Sequence, residues 1–211
     1  MAQIFMADSL TPDEFLAQKQ EKMGDELGRL HFDLANKLSL LHLEWNQFQT
    51  LFLRADESDL LDRTIPAVAL VFRMVLIDSI ILHICRLADP AEMRGGKANV
   101  TIHRIPPLLT DSKLRKAIDK LCAQAAVAIK PARDYRNRVI AHLDLPTLRD
   151  VHPIPLPSIT RDSVESSLTI LRDILNRVDL ELTGASTLYE AGFASGGADR
   201  LVEILRRSEQ K

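Results

Sequence analysis

Eight apolar side chains, Leu27, Leu30, Leu34, Leu38, Leu41, Trp45, Phe48 and Phe52, follow one another at spacings of three or four residues. Only a helical repeat of about 3.6 residues collects such a set on one face. A strand would divide it between two faces. A helix over Glu26–Leu53 is roughly 40 Å long, at about 1.5 Å per residue. Its apolar stripe must be covered by other long helices. The rest of the chain supplies them. Leu, Ile, Val and Ala dominate, aromatic residues make up 5%, and no segment alternates in the manner of a strand. The expected fold is all-α, a helical bundle of long antiparallel helices with no sheet. At 211 residues, 46% of them apolar, the chain suits one domain over residues 1–211 with a well-buried core.

Local signals divide the chain. Residues 1–10 form an N-terminal tail. Thr11-Pro12-Asp13-Glu14 has the residues of a capping box with proline in the first turn. Gly24 and Gly28 bend or break the helix that follows. Asp56–Asp59 is a polar break leading to a short helix over Leu60–Arg63. The most apolar stretch, Ile65–Ala88, predicts a buried helix after Pro66 that stops at Asp89-Pro90. Arg86 and Asp89, three apart, are placed to pair across its end. Asp78 lies inside this run and calls for a partner, an arginine being the least costly. Ala91–Thr101 reads as a surface loop, and Thr101–Leu108 as a short helical turn. Asp111 or Ser112 caps a helix carrying Leu114, Ile118, Leu121 and Ala125. Pro131 either kinks that helix or begins a new one. Pro146, Pro153, Pro155 and Pro157 mark an extended linker. Thr160 or Ser158 caps a helix with Val164, Leu168, Leu171, Leu175 and Val178 inward, and Gly184 ends it. Residues 184–211 form a C-terminal loop and a short amphipathic helix over Ala198–Arg207.

Several function classes are excluded. The formal net charge is −2, so any contact with a polyanion must come from a local patch. Cys85 and Cys122 are far apart and form no CxxC, which reads as two buried thiols in a reducing compartment. The histidines lack the spacing of metal ligands, and no metal or cofactor is expected. Gly95-Gly96-Lys97 lacks the remainder of a phosphate loop. The N-terminus has no basic stretch followed by an apolar core. Arg73, Asp78, His83 and Arg86 interrupt the apolar run, which is read as a core helix and not a membrane span. A soluble cytoplasmic protein is expected.

One segment concentrates chemistry. Pro131–Asp144 carries Arg133, Arg136, Asn137, Arg138 and His142 within about three helical turns. A permanently charged arginine and a titratable histidine are what metal-free cleavage of a phosphodiester requires. On a regular helix Arg136 and His142 stand roughly 120° apart, so one copy cannot easily turn both to one atom. Two symmetry-related helices can, across a two-fold axis.

Arg136-Asn137-(four residues)-His142 resembles the signature of the HEPN superfamily. The long helix with Trp45 and Phe48, Leu60-Leu61, Arg86-Leu87-Ala88-Asp89-Pro90 and Ile140-Ala141-His142-Leu143-Asp144 resemble its abortive-infection branch of AbiU type. The resemblance covers about Leu30 to Leu180. It implies a homodimeric helical bundle and, in catalytic members, a metal-independent endoribonuclease cleaving single-stranded RNA, within a phage-defence or toxin–antitoxin system, for which an antitoxin protein is a candidate partner. His142 would then serve as general base or orient the ribose 2′-hydroxyl, Arg136 would stabilise the phosphorane, and Asn137 would position the phosphate or His142. Arg133 and Arg138 would bind substrate. Some members carry tyrosine two residues after the histidine, where this chain has Asp144. The alternative is a non-catalytic dimeric helical protein that binds nucleic acid or nucleotide, or serves as an interaction module.

Overall fold

The computed structural model describes residues 11–92, 95–142, 145–149, 155–156, 158–190 and 196–209. All its regular elements are helical, as the patterning predicts. Helix α1 spans Pro12–Met23 and α2 spans Asp25–Phe48, continued by a π-helical turn over Gln49–Leu53. Then come α3 (Ala55–Thr64), α4 (Pro66–Leu87), a 3₁₀ turn running into α5 (Ile105–Leu108), and α6 (Ser112–Ala128). Helix α7 (Lys130–Tyr135) runs into a second π-helical turn, Arg136–Ile140, followed by α8 (Leu145–Leu148), α9 (Arg161–Thr183) and α10 (Ala198–Glu209). The residues that signal helix ends in the sequence act locally. Thr11 and Glu14 close the capping box, Asp111 and Thr160 cap α6 and α9, and Gly184 ends α9 in the left-handed region at φ 74°.

Helix α2 is the central element and packs on α1, α4 and α9, while α6 lies along α9. The stripe from Leu27 to Phe48 is buried as expected. Leu34, Leu38 and Leu41 are fully buried, each contributing about 1.5–3 kcal/mol. Trp45 and His42, on and beside the stripe, are both buried. Gly24, at φ 84°, breaks the chain between α1 and α2. Gly28 serves a different purpose. A Cβ there would stand 2.6 Å from the Cα of Gln20, so the α1–α2 crossing needs glycine.

Charge also fixes α1. The Lys19 ammonium on α1 pairs with Asp179 on α9, both buried. His31 on α2 lies beneath them, its Nε2 3.2 Å from the Leu175 carbonyl and 3.6 Å from the second Asp179 oxygen. Three helices therefore meet on one buried ionic cluster.

Several expectations need correction. Helix α4 is only half a core helix. Ile80, Ile81, Ile84 and Cys85 are buried, but Val68, Leu70, Val71, Phe72, Met74 and Val75 are 44–60% exposed. It is the one described helix long and apolar enough to cross a membrane by length and composition. Its C-terminal half packs in the bundle on α7, and Arg73 bonds to Ser58 and Asp62 of α3. Asp78 is half-buried, with no arginine paired to it among the described residues. Pro146 opens helix α8, although the proline spacing predicts an extended linker there. Pro153, Pro157 and the tail 1–10 lie outside the described residues. Helix α10 returns over α3 through Ala198 and Val202, which pack with Leu51, Leu60 and Leu61. Cys85 and Cys122 are free and buried, and burial pushes their thiols up to about 11 and about 12.

Candidate functional site

The C-terminal end of α4 is where the polar residues gather. The last carbonyls of a helix have no intrahelical donor. Here Thr101 places its hydroxyl 3.1 Å from the Leu87 carbonyl and 2.7 Å from that of Asp89. Arg133 donates from Nη2 to the Ala88 carbonyl at 2.8 Å. The chain leaves helical geometry at Ala88 (φ −122°, ψ 17°), which turns Asp89 out of register with Arg86. The expected Arg86–Asp89 pair therefore does not form. Asp89 meets Arg136 instead, whose Nη1 donates to both carboxylate oxygens at 2.8 and 3.0 Å.

Pro131 lies in the first turn of α7, so of the two readings it begins a helix. From Arg136 the backbone changes to a π-helical turn, closed by the Ala141 amide donating to the Arg136 carbonyl at 2.7 Å. Such turns insert one extra residue and recur at functional sites. The roughly 120° separation of Arg136 and His142 belongs to a regular helix, which this segment is not. Arg136 Nε donates to the Asn137 side-chain oxygen at 3.1 Å, so the two adjacent residues act as a unit. Arg138 turns elsewhere: its Nε donates to the Thr147 hydroxyl at 2.9 Å and its Nη1 to the Pro155 carbonyl at 3.4 Å. His142 is exposed and has no hydrogen-bond or ion-pair partner among the described residues. Leu143 and Asp144, the latter compared with the family tyrosine, lie outside them.

Asp89 also forms one wall of a cleft of about 550 Å³ between α2 and α4. Lys37 enters it from α2, and His83 and Arg86 from α4. Glu44 orients His83: its carboxylate stands 2.8 Å from Nδ1 and accepts the Ser79 hydroxyl at 3.1 Å. Nε2 is then the ring nitrogen left free. Asp78 on α4 and Tyr135 on α7 are neighbours. Burial raises both pKa values, and the Asp78 charge raises that of Tyr135 further.

The segment that stands out in the sequence thus divides. Arg136 and Asn137 are joined to each other and to Asp89, Arg133 and Arg138 are bonded to backbone and hydroxyl groups, and His142 stands free at the surface. Asp89, Lys37 and the Glu44–His83 pair are not among the site residues the sequence suggests, although Asp89 stands out as the helix stop after Arg86 and His83 as a polar residue three before Arg86 in an apolar helix.

A family model described as HEPN_AbiU2 (AbiU2) matches residues 24–200. Neither the curated proteins nor the solved structures give a match.

Proposed function

The chain belongs to the HEPN-type abortive-infection family AbiU2, and from that premise we propose that it is a metal-independent endoribonuclease acting on single-stranded RNA in a cytoplasmic defence or toxin–antitoxin system. The observation that carries the reading is His142, free and exposed, six residues beyond an arginine that Asp89 holds in place and that donates in turn to Asn137. A general base needs an unoccupied ring nitrogen reachable from solvent. A phosphorane needs a fixed guanidinium.

In the proposed reaction His142 takes the proton of a ribose 2′-hydroxyl. The 2′-oxygen attacks the adjacent phosphorus, the bond to the 5′-oxygen breaks, and that oxygen leaves as a hydroxyl with a proton from solvent. The products are a 2′,3′-cyclic phosphate and a 5′-hydroxyl. Arg136 neutralises the charge on the equatorial oxygens, and Asn137 keeps the Arg136 side chain aligned. Flexible single strands are the suitable substrate because the 2′-oxygen must come into line with the leaving oxygen.

The homodimer in this reading is supported by the exposed apolar half of α4. Six large apolar residues on one helical segment form the kind of patch that marks an interaction surface. A two-fold contact there buries like against like.

A second reading has its own observation. The Arg136 guanidinium is already occupied by Asp89 through two bonds. If no phosphate displaces that carboxylate, the protein is a non-catalytic dimer that binds RNA or a partner protein such as an antitoxin. The test is cleavage of single-stranded RNA in EDTA by the intact chain and by His142→Ala. The ribonuclease reading expects a loss of about 10²-fold or more in the variant. Equal rates in the two proteins remove His142 from the mechanism, and no cleavage by either protein leaves the non-catalytic reading.

A further inference from the structure

The cleft between α2 and α4 contains charge that the fold does not use. Each carboxylate in or beside it is matched. Arg29 donates to Asp33 at 3.3 Å, Arg136 holds Asp89, and Glu44 is shared by His83 and Ser79. Lys37 and Arg86 have no carboxylate or carbonyl partner among the described residues. Arg133, Arg136 and Arg138 are each held by a structural bond. Two cations therefore face a concave space whose negative groups are already neutralised. The cavity, about 550 Å³, lies within the range of small-ligand sites, about 300–1,000 Å³. Leu87 and Val100 give it an apolar wall, and Asn36 adds an amide free of hydrogen bonds within the described chain.

We infer that this cleft is a phosphate subsite for the RNA strand, in which Lys37 and Arg86 hold the phosphodiester next along from the one at Arg136. The inference rests on the ribonuclease reading. Asp89 links the two places physically, since the carboxylate that lines the cleft is the one that holds Arg136. A strand crossing Asp89 meets Arg136 on one side and the two free cations on the other. A nucleoside against Leu87 and Val100 leaves its phosphate toward Lys37 and Arg86. His83, with Nδ1 turned to Glu44, offers Nε2 as an acceptor for a ribose hydroxyl or base edge. The subsite adds affinity and register; it takes no part in bond breaking.

The probe is a short, fully 2′-O-methylated single-stranded oligoribonucleotide, which cannot be cleaved, titrated by fluorescence anisotropy at several salt concentrations. Lys37 and Arg86 are exposed, so Lys37→Ala and Arg86→Ala should fold as the parent does. Each should weaken binding about tenfold, and each should reduce the slope of log affinity against log salt by about 0.7, the value for one single-strand phosphate contact. Lys37→Arg and Arg86→Lys should restore most of the affinity. Lys116→Ala, a surface control on α6, should change neither quantity. Wild-type binding that is indifferent to Lys37→Ala and Arg86→Ala overturns the subsite while the ribonuclease reading stands. A wild-type chain that neither binds the probe nor cleaves its unmodified counterpart overturns both. Displacement of the probe by 5′-AMP, at an affinity equal to that of the strand, overturns assignment to a strand in favour of a free nucleotide.

Discussion

Breaking the Lys19–Asp179 pair should be the most damaging single polar change in this fold. Asp179 is 1% exposed and Lys19 is 6% exposed, so neither charge can regain water without moving a helix. Asp179→Leu leaves the Lys19 ammonium buried and unmatched, and Lys19→Met does the same to the carboxylate. Removing one partner of a buried pair costs about 3–5 kcal/mol. Native domains have only about 5–15 kcal/mol in total. For a chain of this size about 2–4 °C is lost per kcal/mol, so each single variant should melt roughly 6–20 °C below the parent. The double variant Lys19→Met/Asp179→Leu replaces two charges by apolar groups of similar volume and should recover most of that loss. The assay is thermal unfolding by circular dichroism, repeated in urea to obtain free energies for the double-mutant cycle. Two single variants that each melt within about 2 °C of the parent would refute the reasoning. So would a double variant whose loss is only the sum of the two. Either outcome would mean that α1 is held by its apolar contacts alone.

Three further outcomes are expected. Val71→Glu with Val75→Glu should convert a dimer to a folded monomer in sedimentation, because both residues are more than half exposed on the apolar half of α4; an unchanged assembly state would remove that face from the interface. Stability should fall as pH drops below about 6.5. Burial depresses the pKa of His31 and His42, so the unfolded chain takes up protons that the folded chain refuses. Urea midpoints at about pH 7.5 and about pH 5.5 measure this, and His42→Phe, which preserves the stack on Tyr189, should flatten part of the slope. Gly28→Ala should cost about 1–3 kcal/mol, since its Cβ would meet the α1 backbone at 2.6 Å; a neutral result in urea would show that α1 can shift.

What the sequence discloses and what it withholds follow from the range of the forces involved. The stripe on α2, the caps at Thr11, Asp111 and Thr160, and the stop at Gly184 depend on neighbours within a few residues, and all are found where the pattern puts them. The partner of Asp89 is Arg136, 47 residues away, and depends on how α4 and α7 meet. No spacing rule contains that information. The π-helical turn at Arg136–Ile140 is equally hidden, because its residues are acceptable in an ordinary helix. The exposed half of α4 misleads for a different reason. A uniformly apolar helix has the same sequence whether its own chain or a second copy covers it, so periodicity cannot separate the two.

The arginine cluster looks like a binding patch in sequence, and the fold gives it a second explanation. A helix C-terminus carries partial negative charge and unpaired carbonyls, and cations collect there for stability alone. Arg133 on the Ala88 carbonyl needs no ligand to account for its place. Arg136 on Asp89 needs none either, although a phosphate could compete for it. His142, Lys37 and Arg86 have no such account: all three are exposed and unpartnered among the described residues, and Lys37 and Arg86 line the cleft that Asp89 walls. Other exposed lysines, such as Lys116, are equally unpaired among the described residues, so what sets Lys37 and Arg86 apart is that they line the cleft. Function is therefore best sought on the side chains that stability leaves unassigned. On that criterion the proposed working surface extends from His142 across Asp89 into the cleft, and reaches beyond the segment from Pro131 to Asp144.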